Sequence, residues 1–197
     1  MNNKLPYIVS FVLAGLLTLL TIVLQNHEFL LYAVTVAILA FILYRTGRYF
    51  GFSQAGLWLF NVWLILHICG GLASYQGVRF YDLVLVNLVG EPYYILKYDQ
   101  FVHFFCYVVM SVLMWSVVQK IAKKKANRVV VCVVTILAAS SIGALNEIIE
   151  FLAVVALGTD GVGGYTNTAI DLVANLLGAI AGTLYMYTRS NKRLSVD

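Results

Sequence analysis

Six long apolar runs follow one another in a chain of only 197 residues. A helix needs about 20 mostly apolar residues to cross the hydrocarbon core of a bilayer. The runs cover about 5–25, 28–45, 56–76, 99–120, 128–157 and 168–188. The alternating pattern of a membrane β-barrel is missing, so helices are the one way to satisfy the backbone in lipid. The expected fold is therefore all-α: a polytopic membrane protein with six transmembrane helices and short loops, forming a single integral membrane domain over 1–197.

Composition agrees. The chain is 61% hydrophobic and 11% charged, where a soluble domain carries roughly 25% charged residues. Mean hydropathy is +0.87. The net charge of +4 is no nucleic-acid footprint, because the basic residues flank apolar runs instead of forming a stripe. Membrane lipids are the expected partners. Cys69, Cys106 and Cys132 lie inside apolar stretches without CxxC spacing, so no disulfide framework is implied. The first run exceeds the core of about 7–15 residues found in signal peptides, and it reads as a retained helix.

Basic residues set the orientation. With the N-terminus inside, the inner segments hold Lys4, Arg45, Arg48, Lys120, Lys123, Lys124, Lys125, Arg128, Arg189, Lys192 and Arg193, eleven of the thirteen Lys and Arg. The outer segments hold only Arg79 and Lys97. The positive-inside rule then puts both termini in the cytoplasm, in a cytoplasmic (inner) membrane. The run "KIAKKKANR" is the strongest anchor. The outer connection 77–98, "GVRFYDLVLVNLVGEPYYILKY", is apolar but broken by Gly90 and Pro92. Residues 78–89 read as a short interfacial or re-entrant helix, with Tyr81, Tyr93, Tyr94 and Tyr98 in the headgroup belt. The second outer loop, "GTDGVGGYTNT", is Gly-rich and expected to be flexible.

Seven polar side chains in these spans fall at one depth: His67, Asp99, His103, Glu147, Glu150, Asp171 and Asn175. Each is expensive in a membrane unless paired, and marks function by default. Asp99 and His103 in "YDQFVHFF" are four apart and share a helix face. In "GALNEIIEFL", Gly143, Glu147 and Glu150 share another. Two bare acids three apart repel, so a metal ion, a shared proton or a basic partner must relieve them. In "AIDLVANLLGAIAG", Asp171, Asn175, Gly178 and Gly182 form a stripe, and the GxxxG pair admits a close neighbour. His67 shares a face with Gly71 and Ser74. His103 lies about 6 Å deeper than Asp99 at 1.5 Å per residue. Four helices thus aim acids, imidazoles and an amide at the outer leaflet.

Carboxylates with one or two imidazoles suit a divalent cation: Zn²⁺, Mn²⁺, Fe²⁺ or Mg²⁺. HExxH is absent, and Glu-x-x-Glu is not the Glu-x-x-His of di-iron bundles. The leading reading makes His67, His103, Glu147, Glu150 and Asp171 metal ligands, with Asp99 as general base and Asn175 orienting a ligand or substrate. Such a protein would be a metal-assisted enzyme, leaning toward hydrolysis, on a lipid or lipid-linked envelope substrate. A small transporter or ion-binding protein, and a structural or lipid-binding protein whose polar cluster only holds helices together, both stay open. Oligomeric state is not legible in the sequence.

The segments "YDQFVHFF", "NEIIEFL" and "NTAIDLVANLLGAIAG" together resemble the VanZ-like superfamily, and most closely its YjdF-type branch of inner-membrane proteins. That branch pairs a YDxxxHF segment with an ELIE-like segment and a TxxD segment. The motifs match Asp99 and His103, Glu147 and Glu150, and Thr168 and Asp171. "LHICGG" resembles the branch's LHxxG segment and adds His67. VanZ-like relatives carry D-x-x-x-N and a glycine on the last helix, as Asp171, Asn175 and Gly178 do here. The likeness spans roughly 60–185. The chain departs at Tyr107, where the family has a small residue, and at Asn167, where it often has an acid. The resemblance implies work on the cell envelope or on lipid-linked molecules, and adds Thr168 as a substrate-binding residue.

Overall fold

The computed structural model describes residues 4–122, 126–158 and 163–194. It contains six long helices: α1 Leu5–Val23, α2 His27–Phe50, α3 Gln54–Leu72, α4 Tyr98–Ile121, α5 Arg128–Leu157 and α6 Gly164–Leu194. All six have runs long and apolar enough to cross a membrane. The run Lys123–Lys125 and residues 159–162 of the Gly-rich loop lie outside the described residues.

Local chemistry fixes the helix ends. Pro6 sits in the first turn of α1, where its missing N–H has no intrahelical partner to lose. Asn26, Ser53 and Asn127 cap α2, α3 and α5 by accepting a backbone N–H of the first turn. Gly51 and Gly158 end α2 and α5 in the left-handed conformation that glycine adopts without strain. Helix α2 therefore runs past Arg45 and Arg48 to Phe50, beyond the expected boundary at 45.

Helix α4 is the hub. It packs against α3, α5 and α6, while α1 packs on α2 and α3. Val102, Val109, Met110 and Leu113 of α4 are buried with Phe60 and Leu64 of α3. Helix α5 is inside-out by the standard of soluble helices. It buries Thr135, Ala139, Gly143 and Glu147, and exposes Leu137, Leu145, Ile148, Phe151 and Val155. Small and polar groups hold such bundles together, because lipid tails are as apolar as leucine. Ser10 and Asn61 show the same device between α1 and α3. Ser10 Oγ donates to Asn61 Oδ1 at 2.7 Å, and Asn61 Nδ2 donates to the Pro6 carbonyl at 3.0 Å.

The connection between α3 and α4 corrects the sequence expectation. It is not an interfacial helix over 78–89 but two short antiparallel hairpins joined by a single 3-10 turn, Phe80–Asp82. β1 Ser74–Tyr75 pairs with β2 Val78–Arg79, and β3 Val84–Val89 pairs with β4 Ile95–Lys97. The first hairpin turns on Gln76 and Gly77, both at positive φ (52° and 80°), as a two-residue hairpin with the strand twist requires. The three valines of β3 favour a strand over a helix of the same apolarity. Ser74 lies on β1, beyond the end of α3, and so does not continue the His67 face. Tyr81 and Tyr98 also make contacts within the bundle. The Tyr98 hydroxyl donates to the Leu66 carbonyl at 3.1 Å, and Tyr81 turns inward.

Candidate metal centre

The acids, His103 and Asn175 meet near the bundle end that carries the hairpins. Helix α4 supplies Asp99 and His103, α5 supplies Glu147 and Glu150, and α6 supplies Asp171 and Asn175. Three small-residue contacts allow the approach. A Cβ on Gly178 of α6 would fall on the Phe104 carbonyl oxygen, and one on Gly182 would lie 2.5 Å from the Val108 oxygen. A Cβ on Gly143 of α5 would lie 3.1 Å from Asn175 Nδ2. The GxxxG stripe therefore brings α6 backbone to α4 backbone, and Gly143 leaves room for the amide.

His103 is the centre. Its Nδ1–H donates to Asn175 Oδ1 at 3.1 Å, and Asn175 Nδ2 donates to Glu147 Oε1 at 3.2 Å. Glu147 Oε1 also lies 3.4 Å from Nδ1. The other nitrogen, Nε2, faces Asp99 Oδ1 at 3.6 Å and Glu150 Oε1 at 3.8 Å. An imidazole has two distinct nitrogens, and the partner of one fixes what the other can do. Here the amide takes the Nδ1 proton and turns Nε2 toward carboxylates.

Two groups form around this ring, each with one ligand atom per residue within 4.8 Å of the others: Asp99, His103 and Asp171, and His103, Glu147 and Glu150. Asp171 and Asn175 are essentially inaccessible, and Glu147 is 6% exposed. Asp171 Oδ1 and Glu147 Oε2 are buried with no hydrogen-bond partner among the described residues. Four carboxylates thus surround one imidazole. Even a fully protonated His103 would leave an excess of acid.

His67 is not part of either group. Its Nδ1 lies 2.5 Å from the Tyr81 hydroxyl, and its ring stacks on Trp63 at 5.4 Å. Burial, then the charges of Asp99 and Glu150, raise the Tyr81 phenol well above its ordinary value, so it stays protonated. The glycines of "LHICGG" gain a reason here. Gly70 makes room for the Tyr81 ring and Gly71 for the Phe29 ring. His67 still faces the site, because it lines a small cavity of about 50 Å³ with Asp99, His103, Tyr107 and Glu150.

Two amides complete the picture. Asn167 Nδ2 donates to Asp171 Oδ2 at 2.5 Å and to Asp99 Oδ2 at 3.2 Å, bridging α6 to α4. Asn146 Nδ2 donates to Glu150 Oε1 at 2.7 Å. Neither is among the expected site residues. Asn167 was placed before the sixth span, but α6 begins at Gly164, so Asn167 is four residues before Asp171 on the same face. Asn146 stands four before Glu150, a spacing that could have found it. Thr168 is half-buried, and it is Thr166 and Asn167 that line the mouth above the cluster. This mouth is a cavity of about 130 Å³ that reaches Asp99 and Glu150, with Arg79 and Lys97 among its lining residues.

Fold and site define a polytopic α-helical membrane protein with a buried acid–imidazole cluster at one end of the bundle. The chain belongs to the family described as predicted membrane protein (DUF2238), which it matches over residues 5–192. No curated protein and no solved structure matches it.

Proposed function

We propose that the cluster is a divalent-cation centre of a membrane enzyme acting on a lipid or lipid-linked substrate. The carrying observation is the His103 ring, with its Nδ1–H held by Asn175 and its Nε2 turned to carboxylates. That is the arrangement by which outer groups orient a metal-ligating histidine. His103 Nε2, Asp99 and Asp171 form the first set of ligands, and Asn167 holds the two aspartates in register. Glu147 stands behind the ring with Asn175. Glu150 lines both the mouth and the small cavity, which makes it the carboxylate placed to accept a proton from a substrate or a water. A bound divalent ion would supply Lewis-acid polarisation of a substrate oxygen.

Two further features support the substrate class. The positive-inside count leaves Arg79 and Lys97 as the sole basic residues of the outer segments, and both line the mouth. Lys97 at the rim of an acid-lined site suits an anionic headgroup bridged to a metal, while Arg79 is held by Asp82 at 3.1 Å. The resemblance to the VanZ-like superfamily points to the cell envelope as well. The proposed topology puts the mouth at the outer leaflet and both termini in the cytoplasm. Reporter fusions at residue 197 and in the 84–97 hairpin are expected to read opposite sides, with the C-terminus cytoplasmic. Equal readings, or an external C-terminus, would overturn the topology.

Melting of the purified protein tests the centre. At a free ion concentration 100 times Kd, binding stabilises the folded state by about 2.7 kcal/mol. Zn²⁺, Mn²⁺ or Mg²⁺ is expected to raise the melting temperature, and chelator to lower it. The variant Asn167→Asp sharpens the test. It removes two donated hydrogen bonds and adds an acid between Asp99 and Asp171. It is expected to melt below wild type in chelator, by about 1–3 kcal/mol of stability, and to gain more than wild type from the ion. Melting indifferent to chelator and to all three ions would overturn the metal reading.

A further inference from the structure

A second cavity lies at the opposite end of the bundle, independent of the acid cluster. It measures about 440 Å³ and opens between the ends of α3, α4, α5 and α6. That size falls in the range of small-molecule sites, about 300–1,000 Å³. Two arginines line it, Arg128 at the start of α5 and Arg189 near the end of α6. No carboxylate lines it, and among the described residues neither arginine forms an ion pair. Arg189 Nη1 donates to the Tyr185 hydroxyl at 2.6 Å, and its guanidinium lies 5.9 Å from the Tyr185 ring. Ser53, Ser116 and Gln119 add polar groups, while Leu59 and Trp115 give an apolar wall. Ser53 and Ala55 at the start of α3 and Arg128 at the start of α5 are among the lining residues.

Positive charge without carboxylate partners, hydroxyl donors and an apolar wall select one kind of ligand. A planar guanidinium matches the oxygens of a phosphate two at a time. We propose that this cavity binds a phosphate-bearing anion through Arg128 and Arg189. The phosphate belongs either to the headgroup of an anionic phospholipid or to a free phosphate. A basic recess between membrane helices at the cytoplasmic surface is where anionic headgroups collect. The apolar wall suits a lipid, since it leaves room for the first carbons of a tail.

The test uses the full chain in detergent, melted with added phosphatidylglycerol, phosphatidylcholine or inorganic phosphate. Phosphatidylglycerol is expected to stabilise the protein and phosphatidylcholine to do so far less. Arg128→Gln and Arg189→Gln are each expected to weaken the phosphatidylglycerol response about tenfold in apparent affinity, the effect of losing one direct hydrogen bond to a charged group. Arg45→Gln removes the same charge from α2, outside the cavity, and is expected to leave the response unchanged. Arg128→Lys and Arg189→Lys keep the charge and lose the fork, which tests the site even where a glutamine variant fails to fold. They should fall between wild type and the glutamine variants. Stabilisation by inorganic phosphate, abolished by the same substitutions, would identify the free anion as the source. Equal responses to the two lipids without a phosphate response, or an equal loss in Arg45→Gln, would overturn the site.

Discussion

Replacing His103 by alanine is expected to cost about 3–5 kcal/mol of stability, the range for removing one partner of a buried charged pair. The side chain is 9% exposed and stands between carboxylates from two other helices and its own. Alanine leaves the Asn175 carbonyl oxygen without its donor and leaves the acids without the imidazole between them. The loss should be coupled to the acids. Adding Glu147→Gln to His103→Ala removes one charge from the orphaned set and is expected to recover part of the stability. The same substitution in a wild-type background should destabilise. Chemical or thermal unfolding of the four proteins gives the coupling directly. A single-variant loss below about 1 kcal/mol, or strict additivity, would mean that His103 does not organise the cluster. His103→Ala should also lose the response to divalent ions, which separates a metal ligand from a residue that only holds helices together.

Length and hydropathy were enough to read the six spans, because the bilayer imposes both. The acid–imidazole cluster was legible for a related reason. Charges inside a membrane have few places to go, so helical spacing from Asp99 to His103 and from Asp171 to Asn175 gave their faces. What the sequence hid was the choice among neighbours. His67 looked like a ligand by depth, yet it pairs with Tyr81, a residue fourteen positions away on a turn whose path depends on two hairpins. The hairpins were hidden because an apolar segment beside a membrane fits an interfacial helix as well as a strand. Only the positive φ at Gln76 and Gly77 and the valines of Val84–Val89 separate them. Asn167 falls before the expected start of the sixth span, and Asn146 lies outside the stripe drawn through Gly143, Glu147 and Glu150. In place they donate to Asp99, Asp171 and Glu150.

The second large effect concerns the seam that assembles the site. Gly178→Ala is expected to destabilise by about 2–3 kcal/mol, the upper range for overpacking. The obstruction is the reason for the size. A new methyl group at Gly178 meets the Phe104 carbonyl oxygen and lies 3.2 Å from Tyr107 Cβ, and backbone cannot rotate away as a side-chain tip can. Helices α4 and α6 must part. The residues that then separate are Asp99 and His103 on one side and Asn167, Asp171 and Asn175 on the other, so the response to divalent ions should weaken with stability. Gly15→Ala is the control. A Cβ there meets nothing within 4 Å, and alanine favours a helix over glycine by up to about 1 kcal/mol. The two variants make the same chemical change in a membrane helix and are expected to move the melting temperature in opposite directions. A neutral or stabilising Gly178→Ala would mean that α4 and α6 do not touch backbone to backbone, and the site as described would lose the contact on which its geometry depends.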